Sequence, residues 1–288
     1  MRDREADTRA EARRVLESCM ITRPDQIDLD VIAESMDAEI VCDDLDGAAA
    51  SVMRIGAHAK IRISNRISDI GAQRFSGGHE LGHIRLGHDI PPDNAGRIAE
   101  LVCKPLEKSR KVPERLASVF ASELVMPESM IKPYCAIPCV TLAAAREIAS
   151  EFTTSVLASA MRFTELSAER CAVAYSLRGR VMWLKRSATF PDWIPRGRRL
   201  DPTCAASDYA RTGTLDGGVH VLEADAWLPR DRIDSARVQI IEQSAMIPEL
   251  GAVFTMLWLP NTAIAHLDLA RPLGDQSFGA RSRRPSHT

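Results

Sequence analysis

The chain predicts an α+β fold, mainly helical at first, with a small sheet among the helices, and β-rich towards its end. Three observations predict it. Apolar residues recur at helical spacing through much of the stretch before Arg170. The period drops to two in a block at residues 39–64, and again, repeatedly, after Arg170. Finally, His79 and His83 stand four apart in Gly78-His79-Glu80-Leu81-Gly82-His83, and a helix puts both imidazoles on one face, a turn apart.

Bulk properties narrow the function. The 288 residues are 45% hydrophobic and 26% charged, which suits one large globular domain or two. A net charge of -2 offers no electrostatic grip on nucleic acid or a membrane surface. No apolar run approaches the roughly 20 residues of a membrane span. Met1-Arg2-Asp3-Arg4-Glu5 opens a charged helix rather than a signal peptide. Seven scattered cysteines fit a reducing, cytoplasmic setting. Cys135 and Cys139 could be half of a second metal site, but no partner pair accompanies them.

Taken in order, residues 5–20 predict a helix with Ala6, Ala10, Val15 and Cys19 near one face, and Ile27 to Met36 a second. Glu39 to Cys42, Ala49 to Arg54 and Lys60 to Ser64 predict strands of a small sheet, the last alternating strictly. Ser68 or Asp69 can cap the helix that carries the histidines, which ends near Gly87. Gly77 and Gly78 lie in its interior at about 1 kcal/mol each relative to alanine, a cost that close packing can justify. Gly96 to Cys103 suggests a further helix inside a charged loop. Pro113 suits a helix start and Pro127 its stop. Leu142–Phe152 and Ser155–Leu166 predict two helices with a break at Thr153-Thr154, like a helix-turn-helix. Cys171–Leu177, Arg180–Lys185, Val219–Ala224, Val238–Gln243 and Val253–Leu259 predict strands, with loop from Pro191 to Gly218. The polar tail 271–288 predicts disorder.

His-Glu-x-x-His is the signature of zinc metallopeptidases: two imidazoles grip the ion, and the glutamate serves as base for a water on it. A catalytic zinc site takes three protein ligands. The third could come from the same segment, but Leu86 and Asp89 occupy the positions where that pattern needs Gly and His, and His88 is one residue early. Alternatively a Glu arrives from another helix, and Glu100, Glu107, Glu114 and Glu123 are candidates. Glu114 is preferred because it shares a small, buryable face with Ala117, Ser118, Ala121 and Val125, where a carboxylate is costly unless paired or metal-bound. Glu123 points the opposite way. The same N/O ligand set accepts Zn2+ or Mn2+.

These residues resemble the ImmA/IrrE family of bacterial metallo-endopeptidases. The family shows Arg-Phe-x-x-Ala-His-Glu-Leu-Gly-His, then Glu-x-x-Ala-Asn-x-Phe-Ala-x-x-Leu-Leu-Met-Pro. This chain has Arg74-Phe75-Ser76-Gly77-Gly78-His79-Glu80-Leu81-Gly82-His83 and, 31 residues after His83, the block from Glu114 to Pro127. The resemblance implies a zincin-like domain with His79, His83 and Glu114 as metal ligands and Glu80 as catalytic base. Gly78 replaces an alanine. Ser118 replaces an Asn or Asp that supports the site from behind, and so short a side chain puts that support in doubt.

The resemblance further implies a division into a metallopeptidase domain at 1–140, a helix-turn-helix-like segment at 141–169, and a β-rich, GAF-like sensory part at 170–270. It implies regulatory cleavage of a helix-turn-helix repressor, in some members as a stress response. A substrate strand is expected on the edge of the small sheet near Lys60–Ser64. One rival reading makes the chain a DNA-binding regulator through residues 141–170, although Arg146, Arg162 and Arg170 there stand against Glu147, Glu151, Glu165 and Glu169. Another makes it a protein-binding module that keeps the metal but has lost the chemistry, with Ser118 as the mark of decay.

Overall fold

The computed structural model describes residues 2–45, 48–88, 100–103, 112–137, 139–191, 194–229 and 238–260. The tail expected to be disordered, Asp89, Glu107 and the first half of the helix expected from Gly96, residues 96–99, lie outside these residues.

Helix α1 (Arg2–Ser18) buries Ala12, Val15 and Leu16. Helix α2 (Leu29–Glu34) starts where Asp28 accepts hydrogen bonds from the N–H groups of Asp30 and Val31, and it buries Leu29, Ile32 and Ala33. Strands β1 (Ala38–Asp43), β2 (Ala50–Ile55), β3 (His58–Ser64) and β4 (Glu100–Cys103) follow as one sheet in the order β1-β3-β2-β4. The alternation in β3 is real: Ala59, Ile61 and Ile63 are buried, while Lys60 and Arg62 are half-buried. Two expectations change here. Glu100–Cys103 is a strand paired antiparallel to β2, not a helix end. And β3 is no edge, because β1 lies parallel on one side and β2 antiparallel on the other, so no substrate strand can add at Lys60–Ser64.

Helix α3 (Ile70–Arg85) is capped by Asp69, which accepts from the N–H of Ala72 at 2.7 Å. It lies across the sheet at Gly77, where an added Cβ would sit 3.1 Å from Ile63 and 3.5 Å from Leu29. Helix α4 (Val112–Val125) packs along it, and the short α5 (Glu128–Ile131) follows Pro127. Helices α6 (Leu142–Phe152) and α7 (Val156–Leu166) are joined through Thr153, whose φ of 51° is left-handed. They look like a helix-turn-helix in sequence, but the second helix is packed into the protein. Every residue of α7 is buried or half-buried. Its Arg162 is 1% exposed and ion-paired to Glu123, out of reach of a phosphate.

The remaining strands, β5 (Cys171–Leu177), β6 (Arg180–Arg186), β7 (Val219–Glu223), β8 (Gln239–Ile247) and β9 (Ala252–Trp258), form an antiparallel sheet in the order β6-β5-β9-β8-β7. Inside the stretch expected to be loop, residues Ala205–Thr212 form a helix, α8. Its cap comes from far away: Glu242 on β8 accepts from the N–H of Ala205 at 2.8 Å and from the indole N–H of Trp227 at 2.6 Å. Burial pushes the Glu242 carboxyl up. One face of this sheet (Cys171, Val173, Phe254, Met256) belongs to the same core as Ile61, Leu81, Phe120 and Phe163. The other face packs Ala172, Ala174, Val253 and Leu257 against Phe190 and Trp227.

Polar contacts tie the helices to this sheet. Gln243 on β8 accepts from the N–H of Leu142 at the start of α6, at 2.8 Å. A buried cluster joins α1, α4, α7 and β6: Arg9, Arg13 and Arg162 surround Glu123, while Arg9, Arg162 and Lys185 surround Glu165. Burial raises the Glu165 carboxyl, but Lys185, Arg162 and Arg9 outweigh it and hold the group below the usual range. A lowered folded value stabilises the fold above the ordinary carboxylate pKa and is lost as pH falls through the folded value. Urea midpoints should therefore favour wild type over Glu165→Gln at pH 7, and the gap should close below about pH 4.5; a pH-independent gap would contradict the assignment.

Gly71 sits in the first turn of α3, directly under the α6–α7 turn. A Cβ there would lie 2.1 Å from the backbone nitrogen of Ser155 and 2.2 Å from the carbonyl carbon of Thr154. Backbone cannot step aside cheaply, so Gly71→Ala is expected to cost about 3 kcal/mol. Chemical denaturation measures this directly, and an unchanged midpoint would show that the turn is not seated on α3.

Candidate metal centre

Close approach of α3 and α4 builds the site. Gly78 faces Ala121 and Val125, and Gly82 faces Ala117 and Phe120, so the two helices run antiparallel with small residues in contact. A Cβ on Gly82 would sit 3.0 Å from the carbonyl oxygen of Ala117. His79 and His83 each follow one of these glycines. On α4, Glu114 and Ser118 form the stripe beside Ala117 and Ala121. The contact of the small stripes therefore brings the polar stripes face to face.

There, His79 Nε2 lies 3.1 Å from His83 Nε2 and 3.3 Å from Glu114 Oε2, and His83 Nε2 lies 3.6 Å from Glu114 Oε1. One ligand atom from each residue falls within a 4.8 Å group. Tetrahedral ligands about 2.1 Å from a zinc ion stand about 3.4 Å apart, so the two imidazoles and the carboxylate fit a divalent ion and leave a fourth direction open. Burial lowers the pKa of His83 to about 4, helped by His79 and His88 and opposed by the Glu114 carboxylate. The ring is thus neutral near pH 7, the form that binds a metal.

Ser118 reaches further than its length suggested. Its hydroxyl donates to the Glu114 carbonyl oxygen at 3.0 Å, one turn back. With its single proton used there, Oγ accepts from His79 Nδ1 at 3.2 Å. That contact leaves Nε2 of His79 bare towards Glu114. Glu80 is fully buried on α3 between the two histidines in sequence.

The other candidates fall elsewhere. Glu123 is fully buried among arginines, away from the histidines. Glu100 belongs to β4. His88, weighed as a ligand, is not in the group; its Nδ1 lies 3.0 Å from Nδ1 of His83, behind the ligand nitrogen. Cys135 and Cys139 are free thiols, the former half-buried with burial pushing it up to about 11 and the latter exposed, and neither joins a metal-binding group among the described residues.

Two metal-competent histidines on one helix, facing a carboxylate from a second, belong to a metallopeptidase-like fold. The family model described as IrrE N-terminal-like domain (Peptidase_M78) matches residues 30–164, so the chain carries a domain of that family. The family is one of peptidase-type hydrolases. No curated protein matches the chain. Among solved structures, a Mycobacterium tuberculosis transcriptional regulator is similar with a TM-score of 0.54 and 12% identity, over 89% of this chain and 78% of that one. At that identity the likeness is one of fold, and its coverage takes in the C-terminal sheet as well as the matched domain. No helix among the described residues is long and apolar enough to cross a membrane.

If the Ser118 hydroxyl orients His79, Ser118→Ala should weaken zinc binding about 10–100-fold without unfolding α4. Competition with a chromophoric chelator reads the affinity. Equal affinities would show that His79 is held in place without the serine.

Proposed function

We propose that the chain is a metal-dependent endopeptidase in which His79, His83 and Glu114 hold a zinc ion, with manganese as the other ion this ligand set suits. The observation that carries the reading is the convergence of two imidazole nitrogens and a carboxylate at zinc-ligand spacing. When bound, the ion supplies Lewis acidity to a water and to a peptide carbonyl. Glu80 is the general base: a carboxylate oxygen takes the water's proton and returns it to the leaving amide nitrogen as the C–N bond breaks. Ser118 keeps the lone pair of His79 turned inward. Glu114 provides the site's one anionic ligand.

The substrate in this reading is a protein, and specifically a DNA-binding repressor of helix-turn-helix type cut in the cytoplasm as a regulatory step. The family resemblance supports this, as does the fold likeness to a protein titled a transcriptional regulator. Residues 1–140 are the catalytic part, 141–169 a helical bridge and 170–270 a GAF-like sensory part. The antiparallel five-stranded sheet, which shares its core with the catalytic helices, supports that last assignment. The Ser118 contact weighs against a decayed active site, and the burial of Arg162 weighs against a DNA reader.

A trapping experiment tests the reading. Glu80→Gln should retain metal and hold its substrate, so the protein that co-purifies with it is the candidate. Wild type with zinc should then cut that protein, and a chelator should stop the cut. A partner left whole by fully metal-loaded wild type would sink the peptidase reading and leave a binding module.

A further inference from the structure

We propose that His88 is a positioning residue for the metal centre: the turn that stops α3 folds its imidazole back onto His83 and fixes which nitrogen of His83 is left bare for the ion. This rests on the metal-binding reading above.

The case begins with the helix end. Leu86 closes α3, and Gly87 follows at φ +62°, the left-handed region. The N–H of Gly87 donates to the Ile84 carbonyl at 3.2 Å, and the N–H of His88 donates to the His83 carbonyl at 3.1 Å. This pair of bonds is the Schellman motif, in which the residue after the glycine drops an apolar side chain onto the residue five before it. Here those two residues are His88 and His83. The expected greasy contact is replaced by two imidazoles packed edge to face, with ring centroids 4.9 Å apart.

Their Nδ1 atoms are 3.0 Å apart, a hydrogen-bond distance with room for one proton. Nε2 of His83 is the atom beside His79 and Glu114, so it must carry the lone pair that a metal takes. The proton of His83 is then on Nδ1 and donates to the bare Nδ1 of His88, whose own proton is on Nε2. The two ligand histidines are therefore oriented by different neutral acceptors, a serine hydroxyl from α4 for His79 and an imidazole from the helix's own stop for His83. A Cβ at Gly87 would meet nothing within 4 Å, so the glycine is needed for its backbone angle alone.

The test uses the full chain, freed of metal, with Zn2+ alone as probe and a chromophoric chelator as competitor. His88→Leu restores the apolar contact the turn ordinarily makes, so it keeps the helix stop but offers no acceptor. His88→Asn places Oδ1 where Nδ1 stood. The expected result is a loss of about 10–100-fold in zinc affinity for His88→Leu and near wild-type affinity for His88→Asn, with both metal-free variants melting close to wild type. Wild-type affinity in His88→Leu overturns the proposal, as does an equal loss in both variants. A wild type that takes up no zinc is a separate outcome, in which the metal reading fails and takes this proposal with it.

Discussion

The approach of α3 to α4 governs the centre, because the distance between these helices sets the distance between the histidines and Glu114. Four glycines in one helix, Gly71, Gly77, Gly78 and Gly82, at about 1 kcal/mol each relative to alanine, would be a poor choice for a helix standing alone. Their use is in the packing. Gly77 lets α3 sit down on the side chains of Ile63 and Ile40, while Gly78 and Gly82 let α4 come in from the other side. A side chain at Gly82 would meet the α4 backbone, and the gap between the imidazole nitrogens and the Glu114 carboxylate would widen with it. The spacing of the candidate ligands is thus set by small residues that are not themselves among the ligands.

The other end of α4 is fixed by charge. Glu123 is buried without access to water and is acceptable only because Arg9, Arg13 and Arg162 reach it from two other helices. Such clusters gain little net stability over an apolar core, since the desolvation cost offsets the attraction, but they tolerate few alternative arrangements. The same arginine also donates to the Met126 carbonyl at 3.0 Å and pairs with Glu165, which Lys185 of β6 reaches in turn. The helix bearing Glu114 and Ser118 is therefore continuous, through ion pairs, with the C-terminal sheet. Together with the shared apolar face of that sheet, this makes the two halves of the chain one packed body.

Among the described residues, each candidate histidine ligand has a supporting side chain behind it. A hydroxyl stands behind His79 and an imidazole behind His83, while the Glu114 carboxylate faces the other nitrogen of each ring. Carboxylate partners would make the histidines stronger bases and the ion less acidic. Without carboxylate partners, more of a bound ion's charge would be left to act at the remaining coordination position, as the proposed hydrolysis requires.

Much of this was written locally in the chain. The strict alternation at Lys60–Ser64, the cap at Asp69, the prolines flanking α4 and the four-residue spacing of His79 and His83 each report on a few neighbouring residues, and period and cap chemistry decide such features. Glu114 could be preferred over its rivals for the same reason, because the small face it shares is visible within one helix. Tertiary structure alone decided the rest. It put β1 beside β3 and so removed the expected edge, made a strand of Glu100–Cys103 by giving it β2 to pair with, and buried Arg162 against a glutamate 39 positions away. It made a helix of Ala205–Thr212 by supplying a cap from Glu242, and it turned His88 from a misplaced ligand into the partner of His83. These outcomes depend on groups distant in sequence or on the direction of one turn, and local periodicity carries no information about either.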